Sequence, residues 1–168
     1  MGIDVRSGQL IQIKLTRLFI LEIDVKFSHL SQCRCSRLGI SDDSGVGAVW
    51  IFNRQGAVWT QQGNKLVGSD YVGASQQGYS LSMSGDGNTL CVGGAYDNSA
   101  LGAMWIFTRT GVNWTQQGSK LVGSGYSGGT PGVNVFQGVS SSLTTSGNKL
   151  VVGGSGDSSS VGAVWTFI

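Results

Sequence analysis

An all-β fold of short antiparallel strands is the class that the sequence predicts, on three observations. The stretch GAVWIFNRQGAVWTQQGNKLVG at 47–68 returns as GAMWIFTRTGVNWTQQGSKLVG at 102–123 and begins again as GAVWTF at 162–167. The 168 residues include 28 glycines and one proline, and only 12% are charged. That balance suits neither a disordered tail, which needs charge, nor a helical bundle, which needs Ala, Leu, Glu and Lys. Glycine-centred turn signals separate short apolar runs throughout the repeats, as strands joined by tight turns require.

From the N-terminus, residues 1–38 stand apart. They hold six of the eleven basic residues (Arg6, Lys14, Arg17, Lys26, Arg34, Arg37) against three acids. IQIKL (11–15) and EIDVKF (22–27) alternate apolar and polar at period two, so a β-hairpin covering an open edge is one reading. A shifted reading frame or gene boundary upstream of Gly39 is the other, because the repeat pattern holds back to Gly39 and then vanishes. CRCSRL at 33–38 occupies the place that NTLCVG takes in the next unit.

Within a unit, four strands follow in order. Strand a is GYSLSM (78–83), matched by GVSSSL (138–143); strand b is TLCVGG (89–94), matched by KLVVGG (149–154). Strand c is GAMWIFT (102–108), and strand d is VNWTQQG (112–118) with a KLVG tail. SGDGN and TSGN turn a into b, and RTG turns c into d. In strand c, Ala103, Trp105 and Phe107 face one way while Met104 and Ile106 face the other. Both sets are apolar, so the strand is expected between two neighbours. Strand d is more polar and suits an outer edge. The spacing Trp50 to Trp105 is 55 residues and Trp105 to Trp165 is 60. The extra five fall within SGGTPGVNVF (127–136), a loop on one rim.

Four short strands per unit and a period of 55–60 residues describe a propeller blade. The expected architecture is a partial β-propeller of about two and a half antiparallel blades. It comprises an atypical segment 1–38, a partial blade 39–77, a full blade 78–123 and a blade 124–168 without its outer strand. The smallest ring, four blades, needs roughly 220 residues, so the chain is expected to require further blades or self-association.

The stretch QQGYSLSMSGDGNTLCVGGAYDNSALGAMWIF (76–107) resembles an FG-GAP repeat, the blade unit of the integrin alpha-chain propeller. QG at 77–78 and 137–138 stands where that family has Phe-Gly. GGA (93–95) and GGS (153–155) stand for its GAP, and GAMWIF and GAVWTF stand for its GxVYVF. The resemblance covers about 39–168. It implies adhesion or extracellular recognition by a protein or glycan ligand on the rim of the b–c and d–a connections.

Calcium-binding members carry DxDxDGxxD in the a–b turn, because a hard cation needs several converging carboxylate oxygens. Here Ser82 and Ser84 replace two of those acids, Leu90 falls at the last ligand position and only Asp86 remains. No metal or cofactor is therefore expected.

Candidate binding residues on the implied rim are Asp97 and Asp157, which with Asp42 each precede a tryptophan by eight residues. Tyr126 and Pro131 of the enlarged d–a loop 124–136 join them. The aspartates also read as turn-formers bonding nearby backbone amides. Trp59 and Trp114 on the outer strands read either as packing groups or as sugar-stacking platforms.

Catalysis is not expected. There is no nucleophile elbow, the one histidine (His29) lies outside the repeats, and the glycine-rich stretches open no helix. The near-neutral repeats lack the basic face that nucleic acid requires. No apolar run reaches the ~18 residues of a membrane span, and the N-terminus has no signal-peptide plan. A non-enzymatic binding module follows, with a carbohydrate-binding propeller or the non-catalytic part of a propeller-scaffolded hydrolase as alternatives.

Overall fold

The computed structural model describes residues 22–26, 32–36, 42–127 and 134–168. Eleven strands form three antiparallel sheets among these residues. The first sheet contains β1 (Glu22–Lys26), β2 (Gln32–Ser36), β3 (Trp50–Gln55) and β4 (Val58–Gln61), in that order. The second repeats the plan with β5 (Ser80–Met83), β6 (Thr89–Gly94), β7 (Ala103–Thr110) and β8 (Asn113–Gln116). The third has β9 (Gln137–Leu143), β10 (Leu150–Gly154) and β11 (Ala163–Phe167). The fold is all-β, and no sheet closes on itself.

Strands a to d of the second unit fall where turn chemistry and alternation put them. The first sheet differs from expectation, because it reaches past Gly39 towards the N-terminus. CRC lies in β2, which pairs with β3 in the register Cys35↔Ile51, the counterpart of Cys91↔Ile106 one unit later. EIDVK forms β1 and pairs with β2; IQIKL, the other half of the expected hairpin, lies outside the described residues. Ladder pairing uses backbone groups, so a strand can hold its place after the repeat's side chains are gone.

Two short segments also depart from the all-strand reading. They are one-turn helical elements, α1 (Asp97–Ala100) and α2 (Asp157–Ser160), between strands b and c. Their inner residues are left-handed: Asn98, Ser99 and Ala100 have φ of 48°, 57° and 66°. Ser158, Ser159 and Ser160 repeat this at 50°, 59° and 73°, and Asp43, Ser44 and Gly45 at 48°, 58° and 92°.

The second sheet lies between the other two, and its central strand serves both interfaces. Trp105 and Phe107 of β7 join Val49 and Ile51 of the first sheet in one buried cluster, with Leu81, Leu90 and Val92. Met104, from the other face of β7, joins Cys91, Leu150 and Val152 in a second cluster, with Ile106 and Phe167 packed against it. The alternation in GAMWIF is therefore spent on two neighbours.

Close approach sets the glycines at these interfaces. A Cβ on Gly68 would overlap the Trp105 ring, and one on Gly123 would overlap Trp165 in the same way. Ser80 Oγ donates to the Gly138 carbonyl at 2.8 Å, stitching the second sheet to the third.

Candidate functional site

The b–c turns and the d–a connections meet on one rim, and each recurrent aspartate begins a left-handed turn there. The Asp97 carbonyl accepts from Gly102 N–H at 2.9 Å, as Asp157 does from Gly162 at 2.9 Å and Asp42 from Gly47 at 3.0 Å. Asp97 is fully buried. Its Oδ1 accepts from the Val72 amide at 2.7 Å, and its Oδ2 pairs with Lys120 Nζ at 2.5 Å. Asp157 is also buried; its Oδ1 accepts from the Ser127 amide at 2.7 Å and its Oδ2 from the Ser158 hydroxyl at 3.1 Å. Asp42 pairs with Lys65, and hydrogen bonding to that carboxylate raises the Lys65 ammonium above its ordinary range. Asp97 and Asp157 thereby bind the loop preceding their own unit. Both oxygens of Asp97 and of Asp157 are occupied within the protein.

The lysine partners were missed by sequence reasoning, although a signal existed: Lys65 and Lys120 each follow their aspartate by 23 residues.

The glutamines of the QG pairs form a second recurrent device. Gln77 Oε1 accepts from Gly68 N–H at 2.5 Å and its Nε2 donates to the Gly68 carbonyl at 3.0 Å. Gln137 clamps Gly123 in the same way, at 2.6 and 3.0 Å. Both side chains are buried, and each amide imitates a strand partner for one glycine of the KLVG tail.

The outer-strand tryptophans are half-buried. Trp114 packs against the first core cluster, and its indole N–H donates to Gln62 Oε1 at 3.2 Å. The Arg109 guanidinium lies 5.8 Å from the Trp114 ring centre, and Arg54 stands at the same distance over Trp59. Trp114 thus takes part in packing while staying partly exposed. Tyr126 is half-buried beside Ser127, and Pro131 lies outside the described residues.

In the a–b turn the Asp86 carboxylate bonds its own neighbours. Asp86 Oδ1 accepts from Ser84 Oγ at 2.6 Å and from Asn88 N–H at 3.0 Å, while Oδ2 accepts from Asn88 Nδ2 at 3.0 Å. The Ser84 bond, followed by the Asn88 amide, holds the Asp86 carboxyl below its ordinary range. Among the described residues no group of three or more His, Cys, Asp or Glu is placed to hold a metal ion.

What remains on the rim is aromatic. Tyr96 packs edge-on to Phe136 with ring centres 5.4 Å apart, and tilts against Tyr79 at 6.0 Å. Tyr96 is 39% exposed, as is Tyr71 nearby in sequence to the Asp97-bound Val72. These rings do not recur: Tyr96 corresponds to Gly156, Tyr79 to Val139, and Phe136 to Gln76. Recurrent residues build the scaffold, whereas the rings vary upon it. Comparing the units for differences rather than likenesses would have found them. No helix among the described residues is long and apolar enough to cross a membrane. A scan against protein-family models and a search of curated proteins found no match for this chain.

Proposed function

We propose that the three sheets are successive blades of an FG-GAP-like β-propeller, and that the chain is a non-enzymatic, adhesion-type module binding a protein or glycan partner. The observation carrying the binding reading is the Tyr79–Tyr96–Phe136 cluster at the junction of two units. Aromatic rings with polar tips give large contact area for little conformational entropy, and interfaces favour them. The surrounding turns offer Asn98 and Ser99, both exposed, as hydrogen-bonding groups. The blade reading is supported by the four-stranded meander and by equivalent residues packing at both inter-sheet contacts.

Protein and glycan arrays probed with the folded chain and with Tyr96→Ala test the binding reading. The expected result is a ligand retained by the parent chain and lost, by about tenfold or more in affinity, from the variant. A ligand indifferent to Tyr96→Ala and Phe136→Ala would move the site elsewhere. An experimental structure whose sheets do not fan about a common axis would retire the propeller reading separately.

A further inference from the structure

The face that the first sheet turns towards the second changes character along β3. Ile51 enters the shared apolar cluster, whereas Asn53 and Gln55, on the same side of the strand, are polar. Thr60 stands opposite Asn53 in the ladder. Gln62 begins the row, donating its backbone N–H to the Ile51 carbonyl at 2.7 Å. Beyond the apolar cluster these residues line a cleft of about 330 Å³, to which Val112, in the turn between β7 and β8, adds an apolar patch. No lysine, arginine, aspartate or glutamate lines it.

Gln62 is only 8% exposed, and its Oε1 accepts the Trp114 indole N–H at 3.2 Å. An indole can only donate, so the other end of the carboxamide is its NH2. That NH2 has no partner among the described residues. A buried amide left without an acceptor costs free energy until one is supplied. Asn53 and Gln55 likewise have no side-chain hydrogen bond among the described residues, whereas Gln61 Nε2 is turned to the Gly63 carbonyl at 2.9 Å. In the next unit Thr108 and Thr110 stand in place of Asn53 and Gln55. The strand plan therefore does not require the two amides; they belong to this junction alone.

We propose that this cleft binds a neutral saccharide. A carboxamide presents a donor and an acceptor side by side, and adjacent sugar hydroxyls, each able to donate and accept, complement that pair. The Gln62 NH2 donates to one hydroxyl next to the apolar cluster. Asn53, Gln55 and Thr60 take others towards the mouth, and Val112 meets the C–H face of the ring. The uncharged lining offers an anionic or cationic ligand no counter-charge. The volume lies at the small end of ligand sites, about 300–1,000 Å³. The cleft sits at the c–d turns, the opposite end of the strands from the Tyr79–Tyr96–Phe136 rim, and is independent of the reading given to that rim.

The test titrates the full chain with the methyl glycosides of glucose, galactose, mannose and N-acetylglucosamine, and follows the side-chain amide resonances of isotope-labelled protein. The expected result is a saturable shift of the Gln62 and Asn53 side-chain amides with at least one sugar at millimolar concentration. The double variant Asn53→Thr, Gln55→Thr should bind that sugar about tenfold more weakly, since it withdraws two hydrogen-bonding amides. It carries the residues of the next unit and is checked for folding by circular dichroism; the shifts of the parent protein decide the matter if it does not fold. Tyr96→Ala should bind the sugar as the parent does. No shift with any of the sugars overturns the proposal, as does binding that the double variant leaves unchanged. Loss of sugar binding in Tyr96→Ala also overturns it and returns the sugar to the rim. A stronger response to N-acetylglutamine amide than to every sugar overturns it as well, and assigns the cleft to a peptide carboxamide.

Discussion

Ser99 sits at φ 57° in the middle of a left-handed turn, exposed and without a Cβ-free backbone to ease it. L-residues there carry about 1–2 kcal/mol of steric cost, and the bonds from Asp97 hold the turn in place. Ser99→Gly is expected to stabilise the protein by about 0.5–1 kcal/mol in urea denaturation, since glycine adopts this region freely. Ser99→Val should destabilise it; the opposite order would show that the turn is not left-handed in solution. Cys91 illustrates burial at the same scale. It lies between two sheets, and desolvation pushes its thiol up to about 12. The thiolate is the reactive form, so Cys91 in native protein at pH 8 is expected to resist iodoacetamide, and to react only after unfolding. Peptide mass spectrometry reads this site directly. The sequence allows that burial to be read, because Cys91 stands between Leu90 and Val92 in an apolar strand. It did not mark the left-handed turns, since Asp-Asn-Ser serves several turn types and only tertiary bonds choose among them.

Among the elements, the strands were legible and their fastenings were not. Period-two alternation and glycine turns located β5 to β11 closely, because those signals are local. Gln77 is the contrary case: its role depends on Gly68, which reaches it only after strand d and its tail have folded back. Gln77→Ala leaves the buried amide and carbonyl of Gly68 without partners, and each such loss costs about 1–3 kcal/mol. A destabilisation of about 2–4 kcal/mol is expected by chemical denaturation, well above that of Gln76→Ala. Equal effects of the two substitutions would remove the clamp from the account. The β5–β6 turn supplies a pH test. Its Asp86 carboxyl is lowered by Ser84 and Asn88, so its contribution is complete above the ordinary aspartate value of about 4 and is lost as pH falls through the lowered value. Asp86→Asn should flatten that acid limb slightly. Millimolar calcium should leave the melting temperature of the parent chain unchanged, because the lone carboxylate already serves its own turn; a calcium-dependent rise abolished by Asp86→Ala would refute this.

For the whole molecule, stability resides in contacts between sheets. Each inter-sheet contact matches an apolar face with its neighbour, and among the described residues the outward face of the third sheet is left partly exposed. Val151 and Val164 there are 40% and 68% exposed, whereas their counterparts Cys91 and Met104 are fully buried. Repeat arrays draw stability from each interface, and open apolar faces associate. Concentration-dependent self-association is therefore expected in sedimentation velocity, and Val164→Lys should reduce it. A monodisperse monomer at every concentration would contradict this expectation. The repeat period made this architecture legible, since likeness between units is visible in the letters. The aromatic cluster on the rim was less legible, because it rests on the residues that break the likeness, and their meeting is fixed by packing across units.

The indole bonds of Trp105, Trp114 and Trp165 point backwards along the chain. Trp105 donates to the Ser69 carbonyl at 2.7 Å, Trp114 to Gln62 at 3.2 Å and Trp165 to the Ser124 carbonyl at 2.8 Å. Every acceptor precedes its donor. During synthesis, which runs from the N-terminus, an emerging unit would find the acceptors of these indole N–H groups already made. Assembly should then be vectorial, like laying tiles against a finished row. Ribosome-arrested chains ending after Gly123 should resist protease through the second unit, while chains ending before Trp105 should not. Protection that arrives only with the complete chain would show that growth lacks this direction.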